Sequence, residues 1–493
     1  MNLSILILLP LLTAVAILLL QKLAWVKWVA LAGAAAQLMA AFVLLINYRH
    51  EISAGNTAAF LFEEQFNWFP ALNISYHIGV DGISVAMILL TSFVVIAGVL
   101  MSWQVEHMRK EFFALLFLLS MGAYGFFISL DLFVLFFFLE IAVIPKYLLI
   151  GIWGSGKKQY AANKLALMLM AGSAMVLVGL LGLYYGSGAK SFDMITLAQT
   201  AIPATVQKIC FPLLFVGFGV FTALFPLHTW VPDGHSSAPT AGSMFLAGIS
   251  MKLGGYGCLR AATWLMPEGA AAYSNIIIVL ATIAILYGAF ATMMQQDLKY
   301  INAYSSVSHC GFVLLGIGML TQTAITGAVL QMISHGLMTA LFFAVIGMIY
   351  QRTHTRQVSE MSGLLKTMPF ICTVFFIVGL CSLGLPGLSG FVAEMTVFMG
   401  SWQNAGIFHR MATIAACMSI VVTAVYILTA IGKVAMGPVS ESFSQLADAA
   451  WNEKLAAIIL IAGILAIGIA PAWLSNLIQP GAQIIMNKIQ AVK

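Results

Sequence analysis

The sequence predicts an all-α polytopic membrane protein of about fourteen transmembrane helices. Two inverted five-helix repeats, spans 4–8 and 9–13, would form its centre, with discontinuous helices at spans 7 and 12. Three observations carry this. The 493 residues are 61% hydrophobic and only 8% charged, where a soluble domain has about 25% charged residues. The apolar runs have the roughly twenty-residue length that a helix needs to cross a bilayer, longer than the strands of a membrane barrel. Two of the runs, five apart, are broken by proline and glycine.

In chain order the apolar runs lie near 3–20, 25–46, 78–103, 112–130, 131–153, 165–186, 208–230, 240–264, 274–294, 301–320, 324–350, 368–400, 409–432 and 455–476. The first lacks a basic leader and reads as a retained helix. Residues 47–77 form a polar insertion with Glu51, Glu63 and Glu64, expected outside the membrane, and the tail after 476 reads as an interfacial helix. Four regions follow: 1–110 with the first three helices, 111–266 and 270–435 as the two repeats, and 436–493 as the last helix and tail. Lys and Arg number thirteen in loops after odd-numbered runs against seven on the other side, Lys493 included. The positive-inside rule then puts the odd loops in the cytoplasm and both termini outside.

The net charge of +5 is scattered over short loops, so it is no nucleic-acid signal. The six cysteines lie in or beside apolar runs without a CxxC pair, which indicates neither a disulfide framework nor a metal site.

Run 7 reads CFPLLFVGFGVFTALFPLHTWVPDGH, with Pro226 and Pro232 late in it. Run 12 reads CSLGLPGLSGFVAEM, with Pro386 and Gly387 at its middle. Proline removes a backbone donor and clashes with the preceding turn. Such a break survives in a bilayer only against protein or water. Paired breaks in two halves point to an inverted repeat with ion sites near the midplane; two unrelated kinks are the plainer reading.

Charges inside apolar runs cost at least roughly 2.5–3.5 kcal/mol each, so they are candidates for function. Glu140 and Lys146 lie in run 5, Lys252 in run 8, His309 in run 10, His335 in run 11, and Glu394 just after the break in run 12. Burial raises a carboxylate pKa and lowers that of lysine, which brings such groups towards one proton affinity, as a relay requires. Their spread over separate helices suggests a lateral chain. Either histidine alone reads equally as a hydrogen-bonded core residue, and Lys146 could snorkel to the surface. His228, Asp233 and His235 have a loose metal spacing but read better as caps of free backbone beside a break. Asp81 and Asp131 read as helix caps or local anchors.

With these residues in place, the chain resembles the subunit M family of antiporter-like, proton-pumping subunits of respiratory complex I, the proton-translocating NADH:quinone oxidoreductase. The resemblance covers nearly the whole chain. It rests on GVDGIS, DLFVLFFFLEIAVIP, FPLHTWVPDGHSSAPTAGSM, MKLGGYG, DLKYINAYSSVSHCGFVLLG, MISHGL and GLPGLSGFVAE. It implies proton transfer through Glu140, Lys252 and Glu394. NADH, FMN, Fe–S clusters and quinone would then sit in partner subunits, with no cofactor or metal on this chain. The implied partners are a peripheral redox arm, other membrane-arm subunits including a related antiporter-like subunit on either side, the lipid of a bacterial plasma membrane, and internal water.

One departure stands out. The resemblance places Phe221 where the family carries a span 7 lysine that pairs with the span 5 glutamate. Lys146 occupies a position expected to be apolar in relatives. The sequence therefore suggests that the lysine has changed helix. Six residues correspond to about 9 Å of rise and 240° of rotation, so Lys146 is not stacked above Glu140. A snorkelling Lys146, or a subunit with altered pumping, are the competing readings. A subunit of a multisubunit cation/proton antiporter is the alternative identity, and Glu394 in place of lysine speaks against it.

Overall fold

The computed structural model describes residues 2–491, so Lys493 lies outside the described residues. Ten helices among them are long and apolar enough to cross a membrane. The chain opens with α1 (Ile5–Leu19), α2 (Leu23–Ser53) and, after a hairpin, α3 (Gly82–Met101). There follow α4 (Arg109–Ile128), α5 (Leu132–Trp153), α6 (Lys158–Gly186), the short α7 (Met194–Gln199) and α8 (Ala204–Phe221). Next come α9 (Trp230–Ser237), α10 (Thr240–Phe245) and α11 (Met251–Gly257), then α12 (Pro267–Met293), α13 (Leu298–Gly318) and α14 (Gln322–Thr353). The C-terminal part comprises α15 (Pro369–Ser382), α16 (Ser389–Trp402), α17 (Ile407–Ala435), α18 (Trp451–Ile469) and α19 (Ala472–Gln490).

Burial sorts these helices. The apolar window of α14 is wholly enclosed and that of α3 nearly so, while only a third of the α2 window is covered. A helix ringed by other helices needs no polar face, which is why α3 and α14 are apolar all round. The outer helices α2, α6, α17 and α18 present apolar side chains outward, as lipid-facing helices do.

Several boundaries differ from the sequence reading. The insertion at 47–77 is not uniformly polar loop: α2 runs on to Ser53, and an antiparallel hairpin pairs β1 (Leu61–Phe69) with β2 (Ile74–Val80). The expected all-α fold therefore carries one two-stranded exception. Run 7 ends as helix at Phe221, and residues 222–229 are irregular around Pro226. Pro232 is not in that break. It lies in the first turn of α9, where a missing N–H leaves no helical acceptor unsatisfied. Run 12 is split into α15 and α16, with Pro386 and Gly387 in the irregular 383–388 stretch between them. Run 8 contains π-helical turns at Leu246–Ser250 and Cys258–Trp264, which the sequence did not announce. The last run stops at Ile469, and α19 packs Leu474, Leu477, Ile478 and Ile485 inward as a separate helix.

Loops after odd-numbered runs are tied into one layer. Ser155 N–H donates to Ser237 O (2.8 Å), Arg356 bonds Ser236 O (2.9 Å) and pairs with Asp297 (3.2 Å), and Gly363 N–H donates to Met436 O (2.9 Å). The opposite face carries the hairpin. His77 on β2 joins Asp193 (2.6 Å) and Glu63 on β1 (3.4 Å). Leu130 N–H donates to His77 O (2.8 Å), which docks the hairpin beside the start of α5.

Burial alone would pull the His77 imidazolium below its ordinary value. The hydrogen bond and charge of Asp193, then those of Glu63, outweigh burial and hold it above. Burial would likewise raise Asp193, and His77 and Thr196 bring it below its usual carboxylate value. The raised His77 contributes stability fully below its unfolded pKa of about 6.5 and loses it as pH rises through the raised value. The lowered Asp193 contributes above about 3.9 and loses it as pH falls through the lowered value. The clamp is thus firmest at mildly acidic pH. The protection of residues 61–80 against hydrogen exchange in the intact complex, taken relative to the intrinsic rate at each pH, should fall between pH 6 and pH 9, and His77→Ala should be poorly protected at both.

Candidate functional site

Two clusters of buried polar groups lie inside the helical bundle. The first is on α5. Asp131 caps that helix, accepting from Phe133 N–H (2.9 Å) and Val134 N–H (3.1 Å), and it also accepts from Ser75 N–H of the hairpin (3.1 Å). Two turns on, Glu140 is half-buried, and its Oε1 is enclosed without a hydrogen bond among the described residues.

Lys146 is 1% exposed, so it does not snorkel to the surface. Its ammonium makes no hydrogen bond to a described residue. It faces the ring of Phe221 with Nζ 5.6 Å from the centroid, within the range of a cation–π contact. Phe221 is the last residue of α8, so the ammonium points at the span 7 break. Trp230 of α9 closes that break by donating its indole N–H to Val220 O (2.9 Å).

The second cluster is a chain. Gly248 in the first π turn and Gly336 in α14 let their backbones approach: a Cβ on Gly336 would stand 2.9 Å from Gly248 O. This brings Lys252 of α11 onto α14, where its Nζ lies 2.8 Å from His335 Nδ1 and also donates to Ala247 O. His335 and His309 of α13 face each other with ring centroids 5.4 Å apart. His309 Nδ1 is 3.3 Å from Glu394 Oε1 and 3.3 Å from the Gln331 amide, and its Nε2 is 3.1 Å from Ser382 Oγ. Glu394 is 5% exposed. Gly384, at φ +77°, lets the break fold under this carboxylate, since a Cβ there would meet Glu394 Oε2 at 2.9 Å. Lysine, imidazole and carboxylate in this order can pass a proton along by alternating donor and acceptor roles. His335 Nε2 and Gln331 Oε1 are buried without partners. Buried polar groups are ordinarily satisfied by protein or internal water.

The sequence-selected residues thus divide. Lys252, His335, His309 and Glu394 lie in series, whereas Lys146 meets Phe221 at the end of α8, and Glu140 lies on α5 with Lys146. His228, Asp233 and His235 diverge. Asp233 pairs with Lys164 (2.7 Å), His228 stacks on Phe225, and His235 stacks on Phe343 (5.3 Å) with both ring nitrogens unpartnered. His235 is therefore not a backbone cap. Asp81 does cap α3, accepting from Ser84 N–H (3.0 Å), and it also forms a buried ion pair with Arg260 that the sequence reading did not include.

Comparison with known proteins identifies the family. Residues 129–419 match the NADH:quinone oxidoreductase/Mrp antiporter transmembrane family. The NAD(P)H-quinone oxidoreductase chain 4 1 of Synechococcus sp. (strain JA-2-3B'a(2-13)) is 38% identical over 477 residues, 95% of this chain and 89% of that one. Chain 4 2 of Microcystis aeruginosa is 40% identical over 417 residues, covering 84% and 74%. Among solved structures, a chain of respiratory complex I from Thermus thermophilus with bound NADH superposes with a TM-score of 0.90 at 25% identity, over 99% of each chain. A chain of the Mrp complex from Dietzia shares the fold, with a TM-score of 0.87 at 20% identity. The chain belongs to the NADH:quinone oxidoreductase/Mrp antiporter family of membrane subunits, as an antiporter-like subunit of the complex I type.

Proposed function

We propose that this chain translocates protons in the membrane arm of an NAD(P)H:quinone oxidoreductase, through the Lys252–His335–His309–Glu394 series. The observation that carries the reading is the succession of these four buried groups across α11, α14, α13 and α16, polar contacts at both ends and a ring contact between the two histidines in the middle. Glu140 and Lys146 form the driven end: a change in their charge state shifts the proton affinity of Lys252. Lys146 takes the place of the span 7 lysine, with its ammonium directed at the α8 break from α5. Phe225, His228 and the Lys164–Asp233 pair line the approach from the basic face.

In this reading the ten long helices, the shorter α1 and α15 (the latter continued by α16), α13 and the α10–α11 run make fourteen crossings, with α4–α11 and α12–α17 as inverted repeats. The basic loops face the cytoplasm of a bacterial plasma membrane and both termini face outside. NADH, FMN, Fe–S clusters and quinone belong to partner subunits of the peripheral arm and its junction, and related antiporter-like subunits flank this one.

The test is the proton-to-electron ratio of the assembled complex in sealed vesicles. Lys252→Met and Glu394→Gln should each lower the ratio or slow coupled quinone reduction on the order of tenfold, a barrier change of about 1.4 kcal/mol. Normal pumping and turnover in both would remove the series from the mechanism.

A further inference from the structure

Glu394 has a neighbour that the lateral series does not use. α17 packs along α15 and α16 and turns Ser419, Thr423 and Tyr426 inward. Steps of four and three residues keep these on one helix face. Tyr426 is 4% exposed. Its hydroxyl is enclosed and hydrogen-bonds no described residue, although it faces Ser382, Thr423 and Glu394. Leaving a buried hydroxyl unpaired is unfavourable, so the group is poised to turn towards any acceptor that becomes available.

The Tyr426 residue also lines a cavity of about 140 Å³. Thr292, Gln295, Gln296, Thr429 and Lys433 also border it. Gln296 and Lys433 belong to the basic face, and Lys433 is seven residues, or about 10 Å, along α17 from Tyr426. A water's share of volume is roughly 30 Å³, so the cavity holds a short file of waters. Tyr426 thus stands between solvent-accessible polar space and the Glu394 carboxylate.

We propose that Tyr426 is a proton gate, giving Glu394 a direct access route from the basic face in addition to the lateral series. When the gate works, the Tyr426 hydroxyl donates its proton to a Glu394 oxygen while its own oxygen accepts a proton from a protonated cavity water. One O–H bond breaks and one forms at the tyrosine, which ends unchanged. One proton has moved from the cavity to Glu394. Between transfers the ring blocks continuous water, which prevents a leak.

The inference rests on Glu394 carrying protons, and the test separates the two claims. The intact complex is reconstituted in sealed vesicles, and passive proton entry is measured with the redox reaction inhibited. Tyr426→Ala should raise passive proton permeability several-fold, and adding Glu394→Gln should abolish that increase. Tyr426→Phe keeps the plug without the hydroxyl. It should leave permeability unchanged and lower protons pumped per electron. A leak in Tyr426→Ala that survives Glu394→Gln would be a mere packing defect and would overturn the gate. So would normal pumping in an assembled Tyr426→Phe complex, which covers the case in which the alanine variant fails to assemble. If Glu394→Gln alone left pumping intact, it would be the role of Glu394 that failed.

Discussion

Replacing Lys146 by methionine should impair coupled turnover about as severely as replacing Glu140 by alanine. The ammonium is buried without a hydrogen bond and sits against Phe221 at the end of α8. Retaining an unpaired charge there is costly, and the cation–π contact returns only about 2 kcal/mol when desolvated. Internal water and Glu140, the carboxylate of α5 at about 9 Å of rise along the same helix, supply the rest. At an effective dielectric of about 20, that separation is worth on the order of 2 kcal/mol, or more than tenfold in an equilibrium. This is enough for one group to set the charge state of the other, and it is the scale of effect expected in coupled turnover.

A reciprocal variant sharpens the result. Phe221→Lys alone would place a second ammonium near the first. At about 6 Å and the same dielectric the repulsion is about 3 kcal/mol, so this variant should pump poorly. Lys146→Met combined with Phe221→Lys returns to one lysine beside the break and should recover most of the activity. Two harmful single changes that cancel would identify the two positions as alternative seats of one charge. Additive damage would show that Lys146 has a different task. The readout is proton pumping by assembled complex, normalised to its content in the membrane.

The midspan charges were legible because hydropathy makes each one conspicuous: Glu140, Lys146, Lys252 and Glu394 all interrupt apolar runs. Their grouping was not legible. That Lys252 reaches His335 and His309 reaches Glu394 depends on which backbones approach, and glycines such as Gly248 and Gly336 set that distance without any polar signal. The breaks at Pro226 and at Pro386–Gly387 could be read from local chemistry. Pro232 misled because a proline at a helix start looks the same in sequence as one in a break. The hairpin was hidden for a different reason. LFEEQFNWF alternates only partly, and it sits in a segment too polar to be searched for spans. The π turns at Leu246–Ser250 and Cys258–Trp264 arise from packing between helices rather than from a local composition. Arg260, near the end of an apolar run, reads as an interfacial anchor until its partner Asp81 is located far away in the chain.

Arg260→Met should be among the most destabilising single changes in the chain, by about 3–5 kcal/mol, because it leaves Asp81 buried without a counter-charge. Both side chains are almost wholly enclosed. The guanidinium also lies over the rings of Phe60, Tyr256 and Trp264 at 5.5–5.7 Å. Its Nε and Nη1 have no hydrogen-bond partner among the described residues, so the ion pair and the three rings account for its retention. The junction joins four elements. Asp81 starts α3, Arg260 lies in the second π turn of run 8, Phe60 precedes β1, and Gly481 lets α19 approach so closely that a Cβ would collide with the Asp81 carboxylate. Arg260→Lys should not rescue, since an ammonium cannot reproduce the planar contact with three rings. Asp81→Ser combined with Arg260→Met should recover much of the loss, because it removes the orphaned charge while keeping an N-cap oxygen for Ser84 N–H. Gly481→Ala should resemble Arg260→Met in kind. The measurement is the thermal inactivation temperature and yield of the assembled complex. Arg260 lies eight residues, about 12 Å, beyond Lys252 on the same run, so the complexes that do assemble should pump with a normal proton-to-electron ratio. A lowered ratio at normal stability would instead place the pair in the proton path and make its structural role secondary.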